Sequence, residues 1–379
     1  MDSSYSWHPG TLRLASRWAV PKALLPDEIL SSWLIRVALA NGCDPLVFMG
    51  AIWPMQCVWA IDLDRRPRTE LLDVLSTLSG VATTTLEQAT LYPIAKLVLS
   101  SNPPSKQSWP WILSVGSRNR RRIGRMQYCP LCLAADESAF FRIQWRFAWH
   151  SVCIRHECQL LEACPHCNAT LEPHRVNASG NGLNSCMTCD RSLSRGAPWQ
   201  AALPGAQFLQ LATDEVLRAK QTTYLSSVVS VPEWFTIIRF YIDLVRRALR
   251  AQTVSMETLA LGVTAEIRNG LGFVPLEKLA LQQRAHLLDC AGRYMLLPFD
   301  QLLSEFSTAG LSRQVVFPNG APDVPPLSRI AEALPGRNGR RVITQRNPPK
   351  ACQFRPRSQR EVERMMRVLR RRTAIDTDS

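Results

Sequence analysis

The spacing of apolar residues near the start of the chain predicts an amphipathic helix from Pro26 to about Ala40. Within this stretch the apolar side chains recur at positions 30, 33, 34, 37 and 38, as on one helix face. Pro26 and the two acids that follow suit the start of a helix, and Asn41-Gly42 suits its end.

Two shorter helical patterns follow and predict a helix-turn-helix-like unit. One runs from Thr69 to Leu78, Ser79-Gly80 breaks it, and Thr83-Thr84-Thr85 can cap a further helix through Gln88. Any helical hairpin shows the same pattern, so DNA reading by this unit is one of two open interpretations.

Helical periodicity returns in the second half of the chain. Four candidate helices lie at 206–220, 233–250, 256–270 and 276–295. The segment 299–316 reads as a helix, a turn at Ala309-Gly310 and a second start at Leu311-Ser312, which is another helix-turn-helix candidate.

Changes in composition divide the chain. Ser100 to Pro110 is rich in proline and serine and predicts a linker, and from Val324 onward proline, glycine and arginine dominate. We therefore predict a mainly α protein of four parts. These are a helical N-terminal domain (1–125), a double zinc-finger, zinc-ribbon-like module (126–195), a helical C-terminal domain (196–323) and a basic tail (324–379).

The 379-residue chain carries a formal net charge of +14, which favours an anionic partner, with DNA as the first expectation. Arginines concentrate in two places that we predict to contact phosphate. The first cluster is Arg118, Arg120, Arg121, Arg122 and Arg125, and the second includes Arg337, Arg340, Arg341, Arg364, Arg367, Arg370 and Arg371. Residues 337–372 hold twelve arginines and one lysine against two glutamates, a net charge of +11. A merely solvated, disordered tail is the alternative.

The sequence also predicts where the protein resides. No apolar run reaches the roughly 18 residues that a membrane span requires, and the polar N-terminus lacks the pattern of a signal peptide. We expect a cytoplasmic protein with no membrane partner, whose twelve cysteines are reduced.

Eight cysteine and histidine residues lie in pairs with two residues between the partners. Two turns of this kind can close a tetrahedron of ligands around one zinc ion. We assign Cys129, Cys132, Cys153 and His156 to one structural zinc ion, and Cys164, Cys167, Cys186 and Cys189 to a second.

Interleaved ligation, in which the first and third pairs share an ion, is an alternative assignment. Cys158 could replace His156 as a ligand. His150, His166 and His174 are taken as non-ligands, because they lie outside the pairs or within an occupied pair.

Catalytic interpretations fit these residues less well. Four cysteine or histidine ligands leave no coordination position for water, so such sites are structural. Cys164-Pro165-His166-Cys167 resembles a thiol-oxidoreductase motif but lies among other metal-type pairs. A nucleobase deaminase needs His-x-Glu, whereas His156 and Glu157 are adjacent. We predict no catalytic residues and no enzymatic activity.

The residues Phe140 to His150 lie between the cysteine pairs and are rich in aromatics. Their period fits both a strand and a helix face, and we expect them to pack the zinc module. Arg142 and Arg146 could contact phosphate or face solvent.

Several motifs together resemble the TniQ/TnsD family of transposition proteins, in a TniQ-like form. They are Leu25-Pro26-Asp27-Glu28-Ile29-Leu30-Ser31-Ser32-Trp33-Leu34-Ile35-Arg36, Tyr128-Cys129-Pro130-Leu131-Cys132, Phe141-Arg142-x-x-Trp145-Arg146, Cys153-Ile154-Arg155-His156, Leu160-Leu161 and Cys164-Pro165-His166-Cys167. The resemblance spans roughly residues 25–190, with a looser helical match to about 316. It implies zinc ligation by the eight residues assigned above.

The resemblance also implies a target-selection factor, which links target DNA or a complex that marks it to the AAA+ ATPase regulator of a DDE transposase. Some relatives dock as dimers on an RNA-guided Cascade effector, and others recognise an attachment site directly, so a transposase, such a complex or a second copy are possible partners. Three rivals stay open: a protein–protein adaptor without its own DNA contact, a zinc hydrolase or nuclease, and a zinc-containing transcription regulator.

Overall fold

The structure is a computed structural model that describes residues 17–54, 58–65, 67–104, 108–115, 126–251 and 274–336. The chain divides into two compact units, Met1–Gly336 and Arg337–Ser379. Both predicted arginine clusters and the candidate helix 256–270 lie outside the described residues.

Short helices build the N-terminal part of the described chain. They are α1 (Leu30–Ala40), α2 (Pro45–Ile52), α3 (Thr69–Ser79), α4 (Thr83–Gln88) and α5 (Tyr92–Leu99). Helices α3 and α4 lie where the sequence predicts them, and Gly80 ends α3 with a φ of 77°, a left-handed conformation that glycine adopts without steric cost. DNA reading by this helical pair stays a prediction.

Helix α1 begins later than the sequence predicts. Its N-cap is Ile29, and the residues before it are not helical. Asp27 has a φ of 58°, Glu28 forms a β-bridge with Arg142, and the Ile29 N–H donates to the Phe141 carbonyl at 3.1 Å. Pro26 and the two acids therefore do not start the helix, because a distant segment takes up their backbone hydrogen bonds.

The cysteine-rich middle of the chain contains little regular structure. It has one short helix, α6 (Pro130–Ala135), and a two-stranded antiparallel hairpin, β1 (Val152–Cys153) with β2 (Cys158–Gln159). The period of the aromatic segment fits both a strand and a helix. In the structure its middle, Ile143–Arg146, is a 3-10 turn, which is neither a strand nor an α-helix.

Helices dominate again after residue 200. They are α7 (Pro204–Ala219), α8 (Val231–Ala251), α9 (Leu281–Leu296), α10 (Phe299–Thr308), α11 (Arg313–Val316) and α12 (Pro325–Ala333). Helix α11 has four residues, about 6 Å of helix. The second candidate thus has the predicted helix, turn and second helix start, although the second helix is short, and its role as a helix-turn-helix stays a prediction.

Two features of the C-terminal half were not predicted. A hairpin of β3 (Gln221–Tyr224) and β4 (Ser227–Ser230) joins α7 to α8. Helix α12 buries Leu327 and Ile330 in the core, although its sequence lies in the segment that we assigned to the basic tail. The described fold thus extends to Gly336, while the boundaries at 125 and 195 stay predictions.

One large core joins all these regions. It includes Ile35 of α1, Trp149 of the cysteine-rich segment, Ile238 of α8 and Leu287 of α9. The predicted linker contributes Trp109, which is 2% exposed, so its end packs into the protein instead of bridging two domains. A second, smaller core lies among α1 to α4, and α1 contributes side chains to both.

No helix in the described ranges is long and apolar enough to cross a membrane alone. Among these described helices, only α1 and α2 taken together, with 94° between them, have the length and composition of a span.

Candidate metal centres

The first ligand group combines a helix start with a hairpin turn. Cys129 is the N-cap of α6 and Cys132 lies in its first turn, while Cys153 ends β1 and His156 lies in the turn before β2. The three sulfur atoms and the His156 Nδ1 all lie within 4.8 Å of one another.

The distances in this group fit a tetrahedron around a zinc-sized ion. The His156 Nδ1 lies 3.4 Å from the Sγ of Cys129, of Cys132 and of Cys153, and the Cys132 and Cys153 sulfurs are 3.6 Å apart. Zinc–ligand bonds of about 2.3 Å to sulfur and 2.0 Å to nitrogen place tetrahedral ligands about 3.8 Å apart for two sulfurs and about 3.5 Å for sulfur and nitrogen.

The second group contains four thiols on two turns. Cys164 and Cys189 are 3.7 Å apart, as are Cys167 and Cys186, which again matches the tetrahedral spacing. Cys164 and Cys186 are buried, whereas Cys167 is exposed.

Backbone N–H groups point at the first sulfur of three turns. The N–H of Cys132 lies 3.4 Å from Cys129 Sγ, that of His166 lies 3.4 Å from Cys164 Sγ, and that of Thr188 lies 3.4 Å from Cys186 Sγ. Donors in these positions stabilise a negatively charged sulfur, which is the form that binds a metal.

Both groups contain thiols with a lowered pKa, and in the first group hydrogen bonds from the neighbouring thiols lower the pKa of Cys153 as well as that of Cys129. A hydrogen bond from the Cys132 side chain is the main cause that lowers the pKa of Cys129 to about 6. Burial alone raises the pKa of Cys186, but the N–H groups of Cys189 and Thr188 lower it to about 7. Both groups therefore offer a thiolate to a metal ion near neutral pH.

The histidines that we took as non-ligands lie outside both groups. His150 contacts Asp214, with 2.8 Å between Nε2 and Oδ1, and His174 stacks on Trp59. The His166 Nε2 lies 3.0 Å from the Ser192 carbonyl oxygen. The structure brings the first and second pairs together, and likewise the third and fourth, but not the first and third.

Cys158 lies beside the first group. Its Sγ is 3.8 Å from that of Cys129, its residue is 2% exposed, and it pairs directly with Cys153 across the hairpin. It does not lie within 4.8 Å of every atom of the first group.

The aromatic segment between the cysteine pairs forms part of the hydrophobic core beside the first ligand group. Phe141 and Trp149 are fully buried and Trp145 is 3% exposed. Arg146 is also fully buried and donates to Asp64 at 2.9 Å, to Asp62, and to the Leu113 carbonyl. The sequence allows two alternatives for Arg146, a phosphate contact or a solvated position. Both are wrong, because the side chain is buried and paired inside the protein.

Burial also perturbs Asp64, an acid that pairs with Arg146. It raises the pKa of Asp64 to about 6, although the charge of Arg146 acts in the opposite direction. Asp64 further accepts from the backbone N–H and the hydroxyl of Ser31, both at 2.8 Å. Arg142 pairs with Asp136 next to α6.

The motif Leu25 to Arg36, which runs into α1, forms a buried polar network with the segment Phe141 to Ile143. Glu28 accepts from Ser32 and from Arg36, and the Ser32 hydroxyl accepts from the Phe141 N–H at 2.9 Å. The Ile143 N–H donates to the Asp27 carbonyl at 2.8 Å. This motif therefore attaches α1 to the segment between the cysteine pairs.

Sequence reasoning missed Asp62 and Asp64. Neither acid lies in a motif, and only their short spacing, with one leucine between them, sets them apart. Their role depends on Arg146, which lies 82 residues beyond Asp64.

Comparison with known families gives one match that bears on these residues. No curated protein matches the chain. Residues 21–160, which hold the motif before α1 and the whole first ligand group, match the family model described as TniQ.

Proposed function

We propose that this chain, whose residues 21–160 match the TniQ family model, is an adaptor that selects the target of DNA transposition. Its proposed task is to link target DNA, or a complex that marks the target, to the AAA+ ATPase that regulates a DDE transposase. The family match is the observation that carries this proposal. The family motif before α1 also has a clear physical use, since it fixes the N-terminal helices to the first ligand group.

The proposal includes two structural zinc ions. Cys129, Cys132, Cys153 and His156 would hold one, and Cys164, Cys167, Cys186 and Cys189 the other. Each ion would supply four bonds that tie together loops with almost no secondary structure. Since the ligands fill all four positions of a tetrahedral ion, neither site has room for a substrate or an activated water, which favours a scaffold over an enzyme.

DNA contact is the third part of the proposal. The arginines at 118–125 and 337–372 are the residues proposed to bind phosphate. Contacts of this kind give affinity and register but little sequence information. The choice of target would then come from helical surfaces or from a partner that marks the site.

A reconstituted transposition assay tests the proposed function. A donor element, its DDE transposase and its AAA+ regulator are incubated with target DNA, with and without the full-length protein, and the insertion sites are sequenced. We expect insertions to concentrate at one class of target only when the protein is present, and the protein to co-elute with the AAA+ regulator. An unchanged insertion pattern without co-elution contradicts the proposal. Binding to a single promoter without the ATPase would favour a transcription regulator instead.

A further inference from the structure

Cys158 is a buried thiol that the proposed zinc sites do not use. At 2% exposed it is less accessible than His156, which is half-buried in the turn between β1 and β2. Buried cysteine is common as a small apolar residue, so burial alone assigns it no role.

The position of its sulfur is more informative. Cys158 Sγ lies 3.8 Å from Cys129 Sγ, which is about the edge of a zinc–thiolate tetrahedron, and close to the 3.6 Å that separates Cys132 from Cys153.

The hairpin explains how two donors reach one ion. Cys153 and Cys158 are directly opposite each other in the β1–β2 pair, so their side chains lie on the same face of the hairpin. The connection between the strands turns tightly at Glu157, which has a φ of 48°, and this turn carries His156. His156 and Cys158 therefore flank one tight turn, and each contacts a sulfur of the first ligand group.

We propose that Cys158 is a reserve ligand of the first zinc site. When the His156 imidazole is absent from the coordination shell, Cys158 takes its position, and a site of three thiolates and one imidazole becomes a site of four thiolates. This inference rests on the proposed zinc binding and adds a fifth donor to it. Thiolate and imidazole are both ordinary zinc ligands in structural sites, so the exchange needs no change of coordination number.

The test uses the reduced full-length protein with three variants, His156→Ala, Cys158→Ser and the double variant. Cys43→Ser serves as the matched control, because Cys43 lies outside both ligand groups. Zinc per chain is measured by mass spectrometry, and cobalt-substituted protein is measured by absorption. The second zinc site reports in every sample whether the protein is folded.

We expect two zinc ions per chain in the wild type, in both single variants and in the control, and one in the double variant. In His156→Ala the thiolate-to-cobalt absorption should rise by about one-seventh, since eight thiolates replace seven. If His156→Ala loses its zinc or its fold as the double variant does, or if the double variant keeps both ions, the proposal is wrong. A wild type without zinc would instead contradict the zinc sites themselves.

Discussion

At the scale of single residues, the stability of the fold depends on the buried ion pairs that Arg146 forms with Asp62 and Asp64. Arg146 is fully buried with Asp62 and Asp64, and it also donates to a backbone carbonyl. Removing one partner of such a cluster leaves uncompensated charge in the interior, which costs more than the pair contributes when complete.

Replacing Arg146 with methionine should lower the free energy of unfolding by about 3–5 kcal/mol, because Asp62 and Asp64 lose their counter-charge. Denaturant unfolding of the reduced, metal-loaded protein measures this loss. Arg218→Met is the matched control, since Arg218 is 75% exposed in a surface pair and should give no measurable change. Equal effects of the two substitutions would refute the role given to Arg146.

Glu277 gives the protein a predictable dependence on pH. Burial alone raises the pKa of this carboxyl, but Arg239 and the Trp111 N–H hold it below the usual 4.5. A group with a lowered pKa in the folded state binds fewer protons than in the unfolded state. Its contribution to stability is therefore present above about pH 4.5 and is lost as the pH falls through the folded pKa.

In Glu277→Gln this contribution is absent. The wild type should be more stable than the variant at pH 6, and the two should converge as the pH falls below 4.5. Urea unfolding at several pH values compares them, and acid-linked loss of zinc affects both proteins alike. A difference in stability that stays constant from about pH 6 to about pH 3.5 would rule out this account of Glu277.

The metal-type residues were predictable because their signal is local. Pairs with two intervening residues are visible in the sequence, and the structure brings the same eight side chains into two groups. The partners of Arg146 were not predictable, since their pairing depends on how distant segments fold together.

At the scale of elements, the contact between α7 and α9 depends on two glycines. A Cβ atom at Gly292 would lie 1.9 Å from the Gly205 carbonyl oxygen, and one at Gly205 would lie 2.2 Å from the Asp289 carbonyl oxygen. The backbones of the two helices therefore touch directly, and the Asp289 side chain accepts from the Gly205 N–H at 2.8 Å.

Gly292→Ala should destabilise the protein by about 3 kcal/mol, because the helices must move apart to admit a methyl group. The matched control is Gly50→Ala in α2, where a Cβ atom meets nothing within 4 Å. Alanine there should stabilise the protein by about 0.5–1 kcal/mol, as in other exposed helices. Thermal or denaturant unfolding measures the stability of both variants. If Gly292→Ala is as stable as the wild type, the two helices do not approach this closely.

Helices were predicted better than strands for a physical reason. The apolar faces of α3, α7 and α8 repeat over two or more turns, so the pattern is visible in the sequence. The β3–β4 turn instead uses Leu225 and Ser226, both with positive φ, where Asn-Gly or Asp-Gly is usual. The Leu225 carbonyl accepts from Arg329 at 3.0 Å, a tertiary contact that no local pattern shows.

At the scale of the whole molecule, the described chain shares one large core instead of dividing at the predicted linker. Trp111, just beyond that linker, packs against Phe235 of α8, and Trp149 packs against the same ring. The cysteine-rich segment lies within this core, so loss of the two proposed zinc ions should destabilise the helices on both sides.

The basic tail gives a prediction for DNA binding. Truncation after Gly336 should weaken binding to duplex DNA of any sequence. It should also reduce the slope of log K against log salt by about 0.9 for each phosphate that the tail no longer neutralises. Truncation after Arg372 is the control, because it keeps every arginine of the tail. Fluorescence polarisation across a salt series measures both, and identical curves for the two truncations would leave the tail without a role in DNA binding.

The account depends most on the proposal that two zinc ions hold the middle of the protein together. Mass spectrometry of the reduced, full-length protein, purified without added metal, gives the ratio of zinc to chain directly. We predict two zinc ions per chain, one for each group of four ligands. A folded protein that contains no zinc would contradict the account.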